Sequence, residues 1–575
     1  MSGVPAALWL LGLFAAAPAL RDDQRYGFAD RLRDALILGV AIPFALGLAN
    51  LLYPVACWIV LAACLAVAYY RNAAWRPARL AQAPAPPYLL IGALVAVSWP
   101  QLMRPLLDGD SLSYHLPSAA SWIQNHSLWA TTARYWWYPP ASELFASALY
   151  AVGGAFALPW CGFSALALLG FRVAAWARED GAPPLLADAL AACAVTAYPL
   201  AIQAGTLQND VWLAAFWLET LWLLRAVRQP ATAMPVAAAT ALIKPQGWLL
   251  TALALIASRA PVRVWLAAGG AVGLWLVHDA LLWNRAVVAP ASAVTGTLFG
   301  STILAHGVPA LALLDRVALA ASPFAVVAFC AALLGPVVAE DRRVGWAALG
   351  SALLFFVLPF GYSTWVAQLA TGASLRFAAP AVAAGAVILT RPARGLSGIA
   401  SALLILSALY GVWIVFAIFW NDGLTRIALP VALLAVALAA AAHRRCVAWP
   451  YAVAFGVTVV ATTYLGARHP LDYYADALRV GTTTPGIYRW IETHRPAALG
   501  GVGMRIGVVN VVSPETRTVD LSDDGACAQA RRDDALLAAV ADNDLPPAIN
   551  AQRMRRARAC GTVLYDDGIA VVAQP

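Results

Sequence analysis

Charge is scarce in this 575-residue chain. Charged residues make up 12% of it, and lysine occurs once, at Lys244. A water-soluble domain carries about 25% charge, so a soluble globular fold is excluded. An Ala- and Arg-rich, Lys-poor composition is that of coding bias, so scarcity alone gives Lys244 no role, though it singles the position out. The formal net charge of +8 is modest and spread over short loops. That pattern sets membrane topology rather than binding nucleic acid. The C-terminal region after His469 has no phosphate loop and no metal-ligand spacing. The absence of an internal repeat argues against a transporter built from repeated halves. The apolar segment 5–20 lacks a basic leader, so it reads as a span or anchor rather than a cleaved signal peptide. Of eight cysteines, Cys57, Cys64, Cys161, Cys193, Cys330 and Cys446 lie in apolar segments, where the thiol acts as a small hydrophobe. Cys527 and Cys560 lie in a polar C-terminal region; they can be a disulfide if that region is extracytoplasmic, or two free thiols.

What is abundant is hydrophobicity: 62% of residues, with a mean hydropathy of +0.71. About 20 apolar residues cross a bilayer as a helix. Candidate spans are 5–20, 35–50, 52–70, 88–103, 160–177, 185–203, 211–226, 263–284, 311–339, 344–360, 376–390, 396–420, 427–442 and 449–466, with a broken pair within 231–258. Arginines punctuate the loops: Arg21, Arg25, Arg31 and Arg33, then Arg71, Arg76 and Arg79. Arg172/Arg178, Arg225/Arg228, Arg259/Arg263, Arg342/Arg343, Arg391/Arg394 and Arg444/Arg445 follow. Placing all of them in the cytoplasm puts 108–143, 203–210, 285–309, 361–376 and everything after Arg468 outside. The stretch 142–160 is apolar enough to cross but breaks this parity, and reads as a helix in the outer interface. The expected fold is mainly α: a polytopic transmembrane helix bundle over 1–467 and a small extracytoplasmic α/β domain over 468–575. In the latter, 506–512, 518–521, 562–565 and 569–573 read as strands, the last two joined by a turn at Asp566-Asp567-Gly568. The segments 484–495, 533–541 and 549–559 read as helices. This domain would cover a site, meet an acceptor, or simply end the chain.

One polar stretch stands among the apolar ones: DGDSLSYHLPSAASWIQNHSLWATTARYWWYPPASE at 108–143, within an outer loop 104–143. Ionisable groups between spans are costly and tend to mark function. Asp108 and Asp110 follow the end of a span, where partial desolvation raises a carboxyl pKa and suits it to take a proton from a hydroxyl. The same Asp-Gly-Asp can be a turn that caps the helix at 112–124. Tyr114, His115 and Trp122 give that helix an amphipathic face. Trp129, Arg134, Tyr135, Trp136, Trp137 and Tyr138 form either an interfacial aromatic belt or stacking faces for sugar rings, stiffened by Pro139-Pro140.

With Asp108, Asp110, Tyr114-His115-Leu116-Pro117, Trp122 and Tyr138-Pro139-Pro140-Ala141-Ser142-Glu143, the loop resembles the first extracytoplasmic loop of GT-C-type glycosyltransferases. That superfamily includes protein O-mannosyltransferases and lipid A aminoarabinose transferases. Later features are similar to it as well. Asn209-Asp210 opens a span where these enzymes often carry a second acidic residue, or is an ordinary N-cap. Leu242-Ile243-Lys244-Pro245 resembles their Thr-Lys-Gly or Thr-Lys-Pro break, with snorkelling of the lysine as the alternative. Ser374-Leu375-Arg376-Phe377 with Pro380 resembles their Arg-Tyr…Pro opening, or is an interfacial charge. The resemblance covers roughly 88–392. The chain departs from it in having four apparent spans before the acidic loop, where one is usual, and Asp-Gly-Asp-Ser where Asp-Glu is common.

The resemblance implies a sugar donor on a polyprenyl phosphate, an acceptor hydroxyl on a lipid, glycan or protein of the envelope, and membrane lipids as surroundings. It implies Asp110 or Asp108 as catalytic base or as an aid to acceptor binding, with Asp110 at the better distance from the tyrosine. Arg376, Lys244 and Arg134 would clamp the donor phosphate. Tyr114, His115, Trp137, Tyr138, Glu143 and Asp210 would line the substrate site. No cofactor is implied, although a carboxylate pair with phosphate can recruit Mg²⁺. A transporter or flippase, or a non-catalytic envelope-assembly protein, would use the same outer cavity without transfer.

Overall fold

The structure is a computed structural model that describes residues 3–20, 27–71, 86–130, 132–133, 137–225, 230–283, 322–357, 373–419, 427–444, 449–466, 486–521, 525–541 and 547–575. Arg134, Tyr135, Trp136, the segments 285–309 and 361–372, and Arg21, Arg25, Arg76, Arg79, Arg228, Arg445 and Cys446 lie outside the described residues, as do 468–485 and the first part of 311–339.

Apolar runs become helices because only an internally bonded backbone is tolerated in hydrocarbon. In chain order they are α1 (Gly3–Ala16), α2 (Phe28–Leu48), α3 (Pro54–Arg71) and α4 (Tyr88–Leu102). A π-turn, Ser111–His115, runs into α5 (Leu116–Gln124), followed by α6 (Ala141–Gly153), α7 (Pro159–Glu179), α8 (Pro184–Thr196) and the short α9 (Tyr198–Ala201). Then come α10 (Asp210–Arg225), α11 (Pro230–Ala241), α12 (Pro245–Ser258) and α13 (Val262–Trp283). The remaining bundle helices are α14 (Pro323–Leu333), α15 (Gly335–Val338), α16 (Arg342–Val357), α17 (Ala379–Ile388), α18 (Thr390–Arg394), α19 (Ser397–Phe419), α20 (Ala428–Arg444) and α21 (Trp449–Gly466). Gly3–Leu20, Pro54–Arg71, Ala155–Glu179, Val262–Leu282 and Ser397–Ile418 are each long and apolar enough to cross a bilayer. Leu266, Leu403, Leu406, Trp413 and Val457 point outward, an apolar exterior suited to lipid. The chain is a multi-pass membrane protein.

The stretch 142–160 does not join the span after it. Gly154 takes φ +70° and ψ −174°, a backbone region open to glycine almost alone, and this separates α6 from α7. Nearly every residue of α6 is buried, wedged against α2 and α5. It is an internal brace, not the surface helix expected. The expected span 185–203 is likewise broken, between α8 and α9. Gly385 shows how tightly the bundle closes: a Cβ built on it would stand 1.8 Å from the carbonyl oxygen of Ala328, so α17 meets α14 backbone to backbone.

Two arginines assigned to cytoplasmic loops are interior. Arg33 and Arg172 are 0% and 1% exposed. Arg33 bonds Asp34 at 2.8 Å and Asp30 at 2.9 Å, and lies 3.3 Å from Glu219. Arg172 bonds Glu219 and Asp30, both at 2.7 Å, and lies over the Trp222 ring at 3.6 Å. Three carboxylates and two guanidiniums thus tie α2, α7 and α10 together. Charges held this way are structural members, which is why a count of loop arginines misreads them.

The C-terminal unit begins with α22 (Ile487–His494) and continues as β1 (Ala498–Val502), α23 (Gly507–Val512), β2 (Arg517–Asp520), α24 (Ala526–Arg532), β3 (Leu536–Val540), α25 (Pro547–Arg558), β4 (Thr562–Asp566) and β5 (Ala570–Gln574). The sheet order is β2-β1-β3-β5-β4, with β1 parallel to β2 and β3, and β5 antiparallel to β3 and β4. The hairpin at 566–568 and the strands near 518 and 571 stand where expected; two other assignments are corrected. Residues 506–512 are the helix α23, because burial of Val508, Val509, Val511 and Val512 overrides their β preference. Residues 533–541 contain strand β3. Side chains alternate across a strand, and here both faces are covered: Ala538 and Val540 join the main core, while Leu537 and Ala539 join the domain's own. An unbroken apolar run such as LLAAV therefore carries no period by which to tell it from a helix. Cys527 and Cys560 form a disulfide.

Removing one member of the buried network strands its partners' charge, at a cost of about 3–5 kcal/mol. Arg172→Met is therefore expected to lower the melting temperature of the detergent-solubilised protein markedly. An unchanged melting curve would show the network to be dispensable.

Candidate functional site

Four segments distant in sequence converge on one chain of charges. The first is the turn after α4. Asp108 accepts the Ser111 amide at 2.8 Å and Gln208 Nε2 at 3.4 Å, so it caps the π-turn as the turn reading expects. Its Oδ2 is sealed from solvent without a hydrogen-bond partner among the described residues. Burial, with Asp110 adding to it, pushes the Asp108 carboxyl above its ordinary value, against the Ser111 bonds that lower it. Asp110 is about one-third exposed and bonds Arg376 Nη2 at 2.7 Å. Of the two aspartates, Asp110 faces the charge cluster and Asp108 supports the turn.

The second segment is the start of α10. Its first free N–H, that of Val211, is taken by Gln203 Oε1 at 3.0 Å, and the Asn209 side chain donates to the Ile243 carbonyl at 3.3 Å. The expected cap, Asn209-Asp210, is thus replaced by Gln203. Asp210 is left at a helix N-terminus, where the dipole favours a carboxylate, and only 4% exposed.

The third is the break between α11 and α12. Lys244 adopts an extended conformation and Pro245 starts α12, a position at which proline loses no helical bond. Lys244 is 7% exposed and its ammonium pairs directly with Asp210; it does not snorkel. The fourth is a 3₁₀ turn, Ala373–Ala378, ahead of α17. It carries Arg376, whose Nε lies 3.6 Å from Asp210. Burial pulls the Arg376 pKa down, but Asp210 and Asp110 outweigh it and fix the guanidinium in its charged form. Phe377 lies beneath both cations, its ring centre 5.2 Å from each.

Tyr114 looks onto this chain. Burial, then Asp110, raises its hydroxyl pKa well above the ordinary range, which favours the neutral phenol. The Tyr138 ring is 5.9 Å away, edge-on. Other expected site residues face elsewhere. His115 and Glu143, 1% and 5% exposed, bond each other, and Ser142 adds a 2.8 Å bond to Glu143; they fasten the π-turn to α6. Trp137 is buried and its carbonyl accepts Trp275 Nε1 at 3.1 Å. Arg134 lies outside the described residues.

Beside the charges lies a small crevice of about 10 Å³, room for about one water, lined by Asp210, Lys244, Gln246, Ser351, Leu213, Leu250, Leu354, Phe377 and Pro380. Gln246, whose Oε1 is buried without a hydrogen-bond partner among the described residues, was missed in the sequence, although it follows Lys244-Pro245 directly. Gln208 was missed as well; a lone amide in an apolar chain was the available signal. A larger, apolar groove of about 550 Å³ between α1 and α21 lies apart from this chemistry. Among the described residues, no group of three or more His, Cys, Asp or Glu is arranged to hold a metal.

The raised Asp108 pKa has a stability consequence. The folded state binds the proton more tightly, so this contribution is fully present below the ordinary value near 3.8 and is lost as pH rises through the raised value. Asp108→Asn, which can still accept the Ser111 amide, is expected to be more heat-stable than the parent at neutral pH, with the gap closing toward about pH 4. A pH-independent gap would contradict this.

Comparison with solved structures finds ArnT from Cupriavidus metallidurans bound to undecaprenyl phosphate, at 17% identity over 84% of this chain and 96% of that one, with a TM-score of 0.45. The apo state of that protein aligns at 15% identity with the same coverage and a TM-score of 0.42. No family model and no curated protein matches the chain.

Proposed function

We propose that the protein is an integral-membrane glycosyltransferase that moves a sugar from a polyprenyl-phosphate donor to a hydroxyl of a cell-envelope acceptor, at the outer face of the membrane. The observation that carries this reading is the Asp110–Arg376–Asp210–Lys244 chain, two cations and two carboxylates brought together from four distant segments. Buried cations already aimed at carboxylates are preorganised for an incoming phosphate, and a guanidinium can take it in a bidentate grip.

The ion pairs also supply a sequence of events. With no donor present, Arg376 holds Asp110. A donor phosphate reaching Arg376 and Lys244 competes for that guanidinium and releases a carboxylate oxygen. The acceptor oxygen then attacks the anomeric carbon and gives its proton to Asp110. The bond from that carbon to the phosphate oxygen breaks on the opposite side, with inversion, and the electron pair leaves with the polyprenyl phosphate. Arg376 and Lys244 stabilise the growing charge. Tyr114 and Tyr138 form the aromatic wall for the sugar, and Arg134 joins the clamp by sequence resemblance. Holding both substrates in place supplies much of the rate.

The disulfide Cys527–Cys560 supports an oxidising, extracytoplasmic setting for residues 468–575, and with it placement in the plasma (inner) membrane. The domain division at 467/468 belongs to the same proposal.

Incubating membranes with radiolabelled polyprenyl-phosphate sugars tests the reading. Asp110→Asn is expected to lower transfer by about 10²–10⁴-fold with insertion and melting behaviour retained, and Arg376→Ala to raise the donor KM more than the acceptor KM. Normal transfer by both Asp108→Asn and Asp110→Asn would sink the catalytic assignment. Solute movement without a glycosylated product would point to a transporter.

A further inference from the structure

The C-terminal domain is not tethered beside the charge cluster; it is built onto it. Helix α23 lies against the π-turn and α5, and its first residue is Gly507. A Cβ there would stand 2.5 Å from the Leu112 carbonyl oxygen and 2.9 Å from its Cα, so backbone meets backbone and no larger residue fits. Tyr150 of α6 donates to the Asn510 carbonyl at 3.2 Å. At strand β2, Gln124 donates to the Thr516 carbonyl at 2.9 Å and accepts the Thr518 amide at 3.3 Å. The Asp520 amide reaches the Thr132 carbonyl at 2.9 Å.

Registration at Gly507 fixes what lies two residues before it. Arg505 is carried to the turn two to four residues before Leu112, which is Asp108-Gly109-Asp110. A methyl group built on Gly109 would sit 3.9 Å from Arg505 Nη2. The Arg505 main chain is anchored in turn by a hydrogen bond to the buried Tyr488, so the domain presents this side chain from a fixed backbone.

Charge gives the placement its meaning. The chain of Asp110, Asp210, Lys244 and Arg376 has two carboxylates against two cations, so with every group ionised it carries no net charge. A phosphate that draws on Arg376 and Lys244 adds charge the chain does not balance, and a further cation would offset it.

We infer that Arg505, supplied by the soluble domain, engages the anionic head of the phosphate-bearing ligand at the mouth of the site, so that the site is complete only with that domain docked. The inference rests on the proposed function for the identity of the ligand, but its anion chemistry can be tested separately. Arg505 holds the phosphate from the outer side while Lys244 and Arg376 hold it from the membrane side.

The test uses the detergent-solubilised full chain, with farnesyl phosphate as the binding probe and radiolabelled polyprenyl-phosphate sugars as donors. Arg505→Ala is expected to weaken farnesyl phosphate binding roughly tenfold, the weight of one charge-assisted hydrogen bond, and to raise the donor KM with a smaller effect on kcat. Arg505→Lys should recover part of the loss, and added salt should shrink the difference. Arg558→Ala, which removes a surface arginine of the same domain at the β4 edge, opposite the docked β2 edge, should bind the probe like the parent. Parent-like binding by Arg505→Ala, an equal loss in Arg558→Ala, or no binding by the parent would each overturn the inference. A parent that binds the probe through Arg505 but transfers no sugar would overturn the proposed function and leave the inference standing. A parent that transfers, with donor KM unchanged in Arg505→Ala, would do the reverse.

Discussion

Asp210 is the carboxylate on which the charge cluster and the segments around it depend. It pairs with Lys244 on one side and lies 3.6 Å from Arg376 on the other, and Arg376 passes the link to Asp110. Each of these charges would be costly alone in a low-dielectric interior; paired, they position one another. The arrangement also sets what the neighbouring backbone must do. Gln203 has to cap α10 so that Asp210 can face inward. The chain must break between α11 and α12 so that Lys244 arrives extended, and a short 3₁₀ turn must precede α17 to deliver Arg376.

Helix α10 serves a second network as well. Glu219, nine residues after Asp210 and roughly 14 Å along the axis at 1.5 Å per residue, receives Arg172 and Arg33. One helix therefore carries two carboxylates that are each satisfied from neighbouring helices, one toward each end of the bundle. The two clusters differ in kind. The Glu219 network is sealed, with Arg33, Arg172 and Glu219 at 0–1% exposure. The Asp210 chain reaches solvent at Asp110, which is about one-third exposed. A closed network stabilises a packing arrangement, and an open one can exchange partners.

Much of the bundle was legible because hydrocarbon leaves the backbone few options: an apolar run of sufficient length is a helix. The polar positions were legible for the same reason, since Asp110, Asp210, Lys244 and Arg376 stand out against an apolar chain. What sequence could not give was pairing. Arg33 and Arg172 look like loop arginines until Glu219 is brought beside them. Asp108 and Asp110 differ on paper only in their distance from the tyrosine, whereas the Ser111 amide and Arg376 give them separate partners. The C-terminal domain was harder. Strand β3 is covered on both faces and so lost its alternation, while α23 is β-branched but wholly buried. Arg505 gave no signal at all, because its place is set by a glycine two residues on.

The sheet of the C-terminal domain has two free edges, and they are treated differently. Strand β4 carries a bulge between Val563 and Tyr565 and a surface ion pair between Arg558 and Asp566, which are the ordinary ways of discouraging a stray strand from adding on. Strand β2 is short and has Arg517 and Asp520 at its ends, and it is covered as well. Its edge groups are occupied by Gln124 and by the Thr132 carbonyl, both outside the domain, and α23 is covered by the π-turn and α5. Cut away from the membrane bundle, the domain would expose the backbone edge of β2 beside an apolar helix, a combination that favours self-association. Its solubility is a property of the whole chain, so folding of the two parts is expected to be coupled, with the bundle acting as the cap the sheet does not encode.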